Sequence, residues 1–430
     1  MTAVIGILNR HAVAIAADSA VTITGPDNRK IFNSANKIFA LSKFHPVGVM
    51  MYNSASFLGT PWETIIKIYR KRLNNNSFGS LQDYVSDFIE FIHQRNFFTE
   101  DASKSIYLKQ FFIEIHHVIL NDAAKSHRHL IKNPDPEAQR QILELLDQKC
   151  DQLLEQLGNT NIYCPEFHDY TRELFDEDCL NEQNEITTQF FEFFGLPFSE
   201  VISNKLKSII FHFIRLQEDF TGFTGLIFAG FGENEIYPHL IPVDLSLVVG
   251  NRLRYFIDQN KEAHISNDNP GFIRPFAQRD VIDTILSGID PLLDETYMEN
   301  FIQLLGKYNT EILRILGDNN QEIMAQIRGI DINAIIREYA DLNNHIKSSK
   351  FIFPLLNAVS NLSKEDLAEM AESMIYLTYL KRRITFAEES VGGPVDVAIL
   401  SKGDGFIWIK RKHYFKPELN QHFINNLLNT

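Results

Sequence analysis

Four pairs of short apolar, β-branched runs constrain the fold of this chain more than any other feature of its sequence. Residues 4–8 and 12–17 are separated by Asn9, Arg10 and His11. Residues 37–41 and 47–52 are separated by polar residues and Pro46. Residues 223–229 and 235–243 flank Gly230-Phe231-Gly232-Glu233-Asn234, and residues 395–400 and 406–409 flank Lys402-Gly403-Asp404-Gly405. Each pair reads as a β-hairpin, since a short turn between two apolar runs brings the chain straight back on itself. Hairpins make antiparallel neighbours, which suits an α+β layered fold better than a doubly wound parallel sheet.

The stretches between the hairpins carry a helical period. Leu81, Tyr84, Val85, Phe88 and Ile92 recur at 3.6-residue spacing behind an N-cap at Ser80, and further helices are predicted over 136–157, ending at Gly158, and over 188–194. Residues 281–355 are helical in pattern with polar connections. Leu367, Met370, Ala371, Met374 and Leu377 form a core stripe behind Ser363, and a polar connection runs around 25–30. Strands, helices, strands, helices and strands in that order define an α+β layered fold, with two antiparallel sheets between helical layers. The expected divisions are 1–96 (N-terminal part of the core), 97–220 (mainly helical insertion), 221–290 (central strands and helix), 291–360 (second helical insertion) and 361–430 (C-terminal helix and strands).

Composition narrows the partners. A net charge of −14 argues against a phosphate backbone, which is held by clustered Lys and Arg. Cys150, Cys164 and Cys179 form no C-x-x-C pair and no disulfide framework, and are read as packing residues in a reducing compartment. The first residues lack the pattern of a secretory signal, and no uninterrupted apolar run is long enough to cross a bilayer. The expectation is a soluble, cytoplasmic protein that binds neither nucleic acid nor membrane.

The chemistry is sought at Thr2, which follows the initiator Met and is small enough for methionine removal. A terminal α-amine, with an ordinary pKa of roughly 7.7–8.0, can take the proton of the threonine's own Oγ near neutral pH. Met-Thr starts are common, and alone this one would mean little. Its neighbours add weight. AVIGILNRHAVAIAADSAVT, followed by SANKIFAL, resembles the opening of proteasome β-type subunits, which are N-terminal-nucleophile hydrolases and threonine peptidases. TGLIFAGFGENEIYPHLIPVD and EESVGGPVDVAILSKGDGF resemble that family's central hairpin and late strand.

The resemblance implies a four-layer αββα sandwich of the N-terminal-nucleophile type, and an enzyme that hydrolyses peptide bonds without metal or cofactor. It assigns Thr2 as nucleophile, Lys37 as the ammonium beside it and Asp18 as the acid that holds Lys37. The sixteen residues from Thr2 to Asp18 match the family, whereas Lys37 comes a few residues late and requires a longer loop within 22–36. A backbone N–H at Asn53, where the family has Gly, would form the oxyanion hole. Glu388 and Val391 stand where the family has an Asp and a Ser near the terminal amine, so the carboxylate is kept and the hydroxyl is not. Gln278 falls near a further family Ser and could contact the amine or a water.

The resemblance also implies a polypeptide or amide substrate. It leaves open a ring or dimer of identical chains, an unfoldase or regulatory partner, an inactive proteasome-like scaffold, or an acylase of small amides. Competing motifs are thin. Glu114 and His117 form a single E-x-x-H, which a bridged metal pair would need twice, and the Gly230–Gly232 turn lacks the third glycine of a dinucleotide fingerprint.

Overall fold

The structure, a computed structural model, describes residues 2–24, 29–32, 35–95, 101–125, 134–217, 222–316, 321–385, 391–413 and 415–421. In chain order the strands are β1 (Val4–Asn9), β2 (Val13–Ala17), β3 (Val21–Thr24), β4 (Arg29–Phe32), β5 (Ile38–Ala40), β6 (Val47–Asn53), β7 (Ser56–Phe57), β8 (Thr60–Pro61), β9 (Thr224–Gly230), β10 (His239–Val249), β11 (Arg252–Ile257), β12 (Ala263–His264), β13 (Gly271–Ala277), β14 (Asp396–Ser401) and β15 (Gly405–Lys410). The helices are α1 (Trp62–Leu73), α2 (Leu81–Arg95), α3 (Asp101–Ala123), α4 (Pro136–Gly158), α5 (Arg172–Phe193), α6 (Glu200–Arg215), α7 (Asp280–Ser287), α8 (Pro291–Leu316), α9 (Gln321–Arg328), α10 (Ile332–Lys347), α11 (Phe353–Val359) and α12 (Lys364–Ile384). It is an α+β chain whose sheets are antiparallel.

Two compact units divide it. The first comprises Met1–Ile38, Ile236–His239 and Ala263–Thr430, and the second Phe39–Glu235 and Leu240–Glu262. In the first, a five-stranded sheet runs β13-β1-β2-β14-β15. Alternation sends Ile5, Ile7, Ala14, Ala16, Val397 and Ile399 to one face, where they pack with Leu367, Ala371, Met374 and Ile375 of α12. The alanines of β2 let that helix come close, and Leu367, Met374 and Ile375 each contribute roughly 1.5–3 kcal/mol by leaving water. The other face, with Val4, Leu8, Val13, Ile15 and Leu400, is equally buried. Ser363 and Asp366 close a capping box at the start of α12. Its inward stripe takes Ile375 and leaves Leu377 44 % exposed, which corrects the stripe read from the sequence by part of a turn. Asn9, fully buried in the hairpin turn, accepts from His11 and Ala12 and donates to the carbonyls of Val359 and Leu362, tying β1 to the start of α12.

In the second unit the sheet order is β11-β10-β9-β6-β5. Val47, Val49, Met51, Leu226, Phe228, Ile241 and Val243 pack against α1 and α2 through Trp62, Tyr69, Phe88 and Ile92. Met50, Ile227, Ala229 and Leu240 on the opposite face are also buried. Ser80 caps α2 as expected, its Oγ accepting from Asp83 N–H while Asp83 accepts from Ser80 N–H. Helices α3–α6 share a core with Leu247, Val249 and Phe256, in which Cys150, Cys164 and Cys179 are buried free thiols.

The sequence reading is corrected at five further places. The second central strand begins at His239, not 235, and continues to Val249. β11 was missed, although Gly250-Asn251 between two apolar runs is a hairpin signal and Gly250 has the left-handed φ of 57° that such a turn needs. β13 was missed because Pro275 argues against a strand. It is tolerated here because β13 is at the sheet edge. The predicted 25–30 connection is flanked by the hairpin strands β3 and β4. The helix read over 188–194 is the end of α5, whose buried face includes Cys179, Gln183 and Thr187 and so escapes a count of apolar residues.

That face holds a directional polar relay. Gln183 donates to Thr187 Oγ1 at 2.9 Å, His116 Nε2 lies 3.1 Å from the same oxygen, and His116 Nδ1 lies 2.5 Å from Phe112 O. A carbonyl only accepts, so Nδ1 carries the proton and Nε2 accepts from the threonine hydroxyl. Burial, against the help of the Phe112 carbonyl and with a smaller push from His117, holds His116 down at about 4 from 6.5. As pH falls below 6.5 the unfolded chain takes up a proton that the folded one refuses. Stability is therefore full above that pH and is lost towards pH 4, by about 3 kcal/mol. Urea unfolding at pH 7 and pH 4 should show His116→Gln losing less stability than the parent. Equal losses would remove His116 from the account.

Candidate active site

Thr2 stands at the open end of the β1–β2 hairpin. The register pairs Val4 with Ala17, so Ala3 and Asp18 come next, and Asp18 N–H donates to Ala3 O at 3.1 Å. The Asp18 side chain turns back onto the chain start. Its Oδ1 accepts from Ala3 N–H at 2.9 Å and from Lys37 Nζ at 2.6 Å, while Oδ2 accepts from Ala20 N–H at 3.1 Å and Gly392 N–H at 3.0 Å. Lys37 Nζ also donates to Ala20 O at 2.6 Å. One carboxylate thus holds both the lysine and the peptide group that follows Thr2. Thr2, Asp18 and Lys37 are 6 %, 1 % and 2 % exposed.

Burial lowers the Lys37 pKa from its ordinary value. The charge and hydrogen bond of Asp18 oppose that, Lys412 lowers it further and Asp396 raises it. The last two residues form a second ion pair. Asp396 accepts from Lys412 N–H at 2.8 Å and from its Nζ. Sequence reasoning missed this pair, although an acid between Val395 and Val397 in an otherwise apolar strand breaks the pattern and would have pointed to it. Ser19 was not singled out in the sequence. Its Oγ donates to Pro394 O at 2.5 Å and its N–H to Gly392 O at 3.1 Å. These bonds stitch the Asp18 segment to the Gly392-Gly393-Pro394 turn, where Gly393 takes a φ of 78° that a side chain would resist.

The sequence-predicted site residues fare differently. Asp18 and Lys37 pair, and Asp18 also holds the peptide N–H that follows Thr2, all within the first unit. Gln278 follows β13 in the same unit with a φ of 54°, and Asn53 ends β6 in the second unit with a φ of 69°. Both hold the left-handed conformation that is uncommon outside glycine, of the kind that collects at functional sites. Glu388 lies outside the described residues. Val391 is buried with the α12-facing core, so an apolar contact occupies the place where the resemblance expects a hydroxyl. His117 lies against Phe193 and Phe194 as a structural histidine. Among the described residues no group of three or more His, Cys, Asp or Glu is placed to hold a metal, and no helix is long and apolar enough to cross a membrane.

No protein-family model matches the chain, and no curated protein matches it. Among solved structures it is similar to the Gly-1 mutant of Anbu from Hyphomicrobium sp. strain MC1, at 10 % identity over 100 % of this chain and 96 % of that one, with a TM-score of 0.28. A likeness of that size leaves fold and activity to be argued from the residues themselves.

Proposed function

We propose that the chain is a threonine-type amidohydrolase, a proteasome-like peptidase of the N-terminal-nucleophile kind, with Thr2 as nucleophile once Met1 is removed. The observation that carries this reading is the shared Asp18 Oδ1, which sets a buried lysine beside the residue next to Thr2. Thr2 Oγ attacks the amide carbon, and its proton passes to the Thr2 α-amine and then to the departing amine. The resulting ester is hydrolysed by water, with the amine again moving the proton. The Lys37 ammonium favours the alkoxide, and Asp18 positions Lys37. The resemblance assigns the oxyanion-binding N–H to Asn53 and the positioning of the amine to Glu388 and Gln278. Each sheet carries helices on one face and a buried apolar surface on the other.

Intact-mass analysis after incubation with a threonine-reactive β-lactone or epoxyketone tests the proposal. The expected result is a Met-free chain that gains one inhibitor mass, with no gain for Thr2→Ala. A chain that keeps Met1 and stays unmodified would overturn the enzyme. It would favour the non-catalytic scaffold to which the buried Val391 points.

A further inference from the structure

Helix α8 runs for 26 residues without burying one of them, and α10 buries none of its 16. They form an antiparallel hairpin joined by a narrow contact. Phe301 stacks on Tyr339 with ring centroids 4.1 Å apart, and Lys347 Nζ donates to Asp294 at 2.5 Å. Outside that contact α8 carries Leu293, Tyr297, Leu304, Tyr308 and Ile315, between 44 % and 73 % exposed. At about 100° per residue these five fall within about 60° of one another around the helix. They make an eleven-residue repeat, in which Leu293, Leu304 and Ile315 share one position, Tyr297 and Tyr308 the next, and Asn300 and Glu311 the third. An eleven-residue repeat of about 3.67 residues per turn stays almost in line with the helix axis, so the stripe is straight enough to seat another helix.

α10 repeats the design with Ile335, Leu342 and Ile346, 41–58 % exposed. On each helix the stripe lies about a quarter-turn, in the same rotational sense, from the residues turned towards the neighbouring helix. Because the helices run antiparallel, equal quarter-turns bring both stripes to one side of the hairpin. From a 1.5 Å rise the stripe is about 30 Å long on α8 and about 17 Å long on α10, each about 10 Å wide. Together they make a patch on the order of 500 Å² before side-chain relief, within the range of the largest patches on ordinary monomers and below the roughly 800 Å² per partner of a stable complex.

We propose that this face docks on the same face of a second copy of the chain, across a two-fold axis at Leu304. The symmetry of the stripe selects that occupant. From Leu293 to Ile315 its intervals are 4, 3, 4, 4, 3 and 4 residues, the same in both directions. Turned end for end, Leu293 meets Ile315 of the second copy and Leu304 meets its equivalent. Tyr297 meets Glu311, and Asn300 meets Tyr308, so each polar member faces a phenolic hydroxyl able to hydrogen-bond it. Self-complementarity of this kind is what a two-fold interface requires and a foreign partner does not. Glu311 is also paired with Arg314 on its own helix, which limits repulsion at the contact.

The test is the mass of the full chain in solution by sedimentation velocity across micromolar concentrations, with circular dichroism to confirm folding. The parent should sediment as a dimer or an even multiple, and Leu304→Glu, a change at a residue already 63 % exposed, should halve the mass with the fold intact. Leu304→Cys should cross-link to its own copy under mild oxidation, since the three native cysteines are buried. A parent that sediments as a single chain, an unchanged mass in Leu304→Glu, or no cross-link in Leu304→Cys would each overturn the proposal. None of these readouts depends on Thr2.

Discussion

Asp18→Asn is expected to lower the free energy of unfolding by about 3–5 kcal/mol, the usual consequence of removing one partner from a buried ion pair. The substitution is nearly isosteric, so the effect is electrostatic. The native carboxylate accepts four hydrogen bonds, two on each oxygen, and a carboxamide can accept on one side only. If its oxygen stays with Ala3 and Lys37, its NH₂ is turned against the N–H groups of Ala20 and Gly392. If it flips, the lysine and Ala3 lose their acceptor. In either orientation the Lys37 ammonium, 2 % exposed, stays buried without its counter-charge. Urea titrations of Asp18→Asn, Lys37→Met and the double variant measure this. The double variant should be more stable than the sum of the single losses allows, by about 0.5–3 kcal/mol, because removing the cation relieves part of the damage. A strictly additive cycle would mean that Lys37 does not depend on Asp18, and the site would lose its organising contact.

How much of this was legible before the structure depended on whether a residue's role was written in local pattern. β1, β2, β14 and β15 were readable because apolar runs flank turn residues, and Asp18 and Lys37 because of their places within the resembled opening. β13 was hidden by Pro275, whose cost vanishes at a sheet edge, and edge position is a property of topology rather than of local sequence. α5 was hidden by a buried face that uses Gln183, Thr187 and Cys179, polar or small groups that go inside only because His116 and its neighbours satisfy them. The stripe on α8 has the opposite character. Leu293, Leu304 and Ile315 look like core in any sequence reading, and only the packed chain shows that nothing among the described residues covers them. Asp396 belongs to a third kind, a charge whose partner, Lys412, is brought to it by the β14–β15 pairing.

The same reasoning gives a second large effect at Arg254, which is 2 % exposed in β11. Its guanidinium is spent mainly on the C-terminal end of α6. Nε donates to the carbonyls of Phe213 and Ile214 at 3.2 and 3.1 Å, Nη2 to those of Phe213 and Leu216 at 3.1 and 2.8 Å, and Nη1 to Ser246 Oγ at 2.9 Å. The last carbonyls of a helix have no partner within it and carry its negative dipole end, so a planar cation with several fixed donors meets both needs at once. Arg254→Met keeps much of the side-chain volume but takes these charge-assisted donors from buried carbonyls, of which Leu216 O keeps only the weak Cys164 thiol donor, at about 1–3 kcal/mol for each bond lost without replacement. A total loss of about 3–5 kcal/mol is expected, with hydrogen exchange accelerated first in the last turn of α6. Arg254→Lys should recover only part of it, since a point charge cannot reach all three carbonyls. The control lies two residues away. Arg252 holds Asp169 at 2.6 Å on a surface where the acid is 77 % exposed, and Asp169→Asn should leave stability nearly unchanged. If Arg254→Met proved as mild as that control, water would have to reach the end of α6, and helices α3–α6 would be anchored by their apolar core alone.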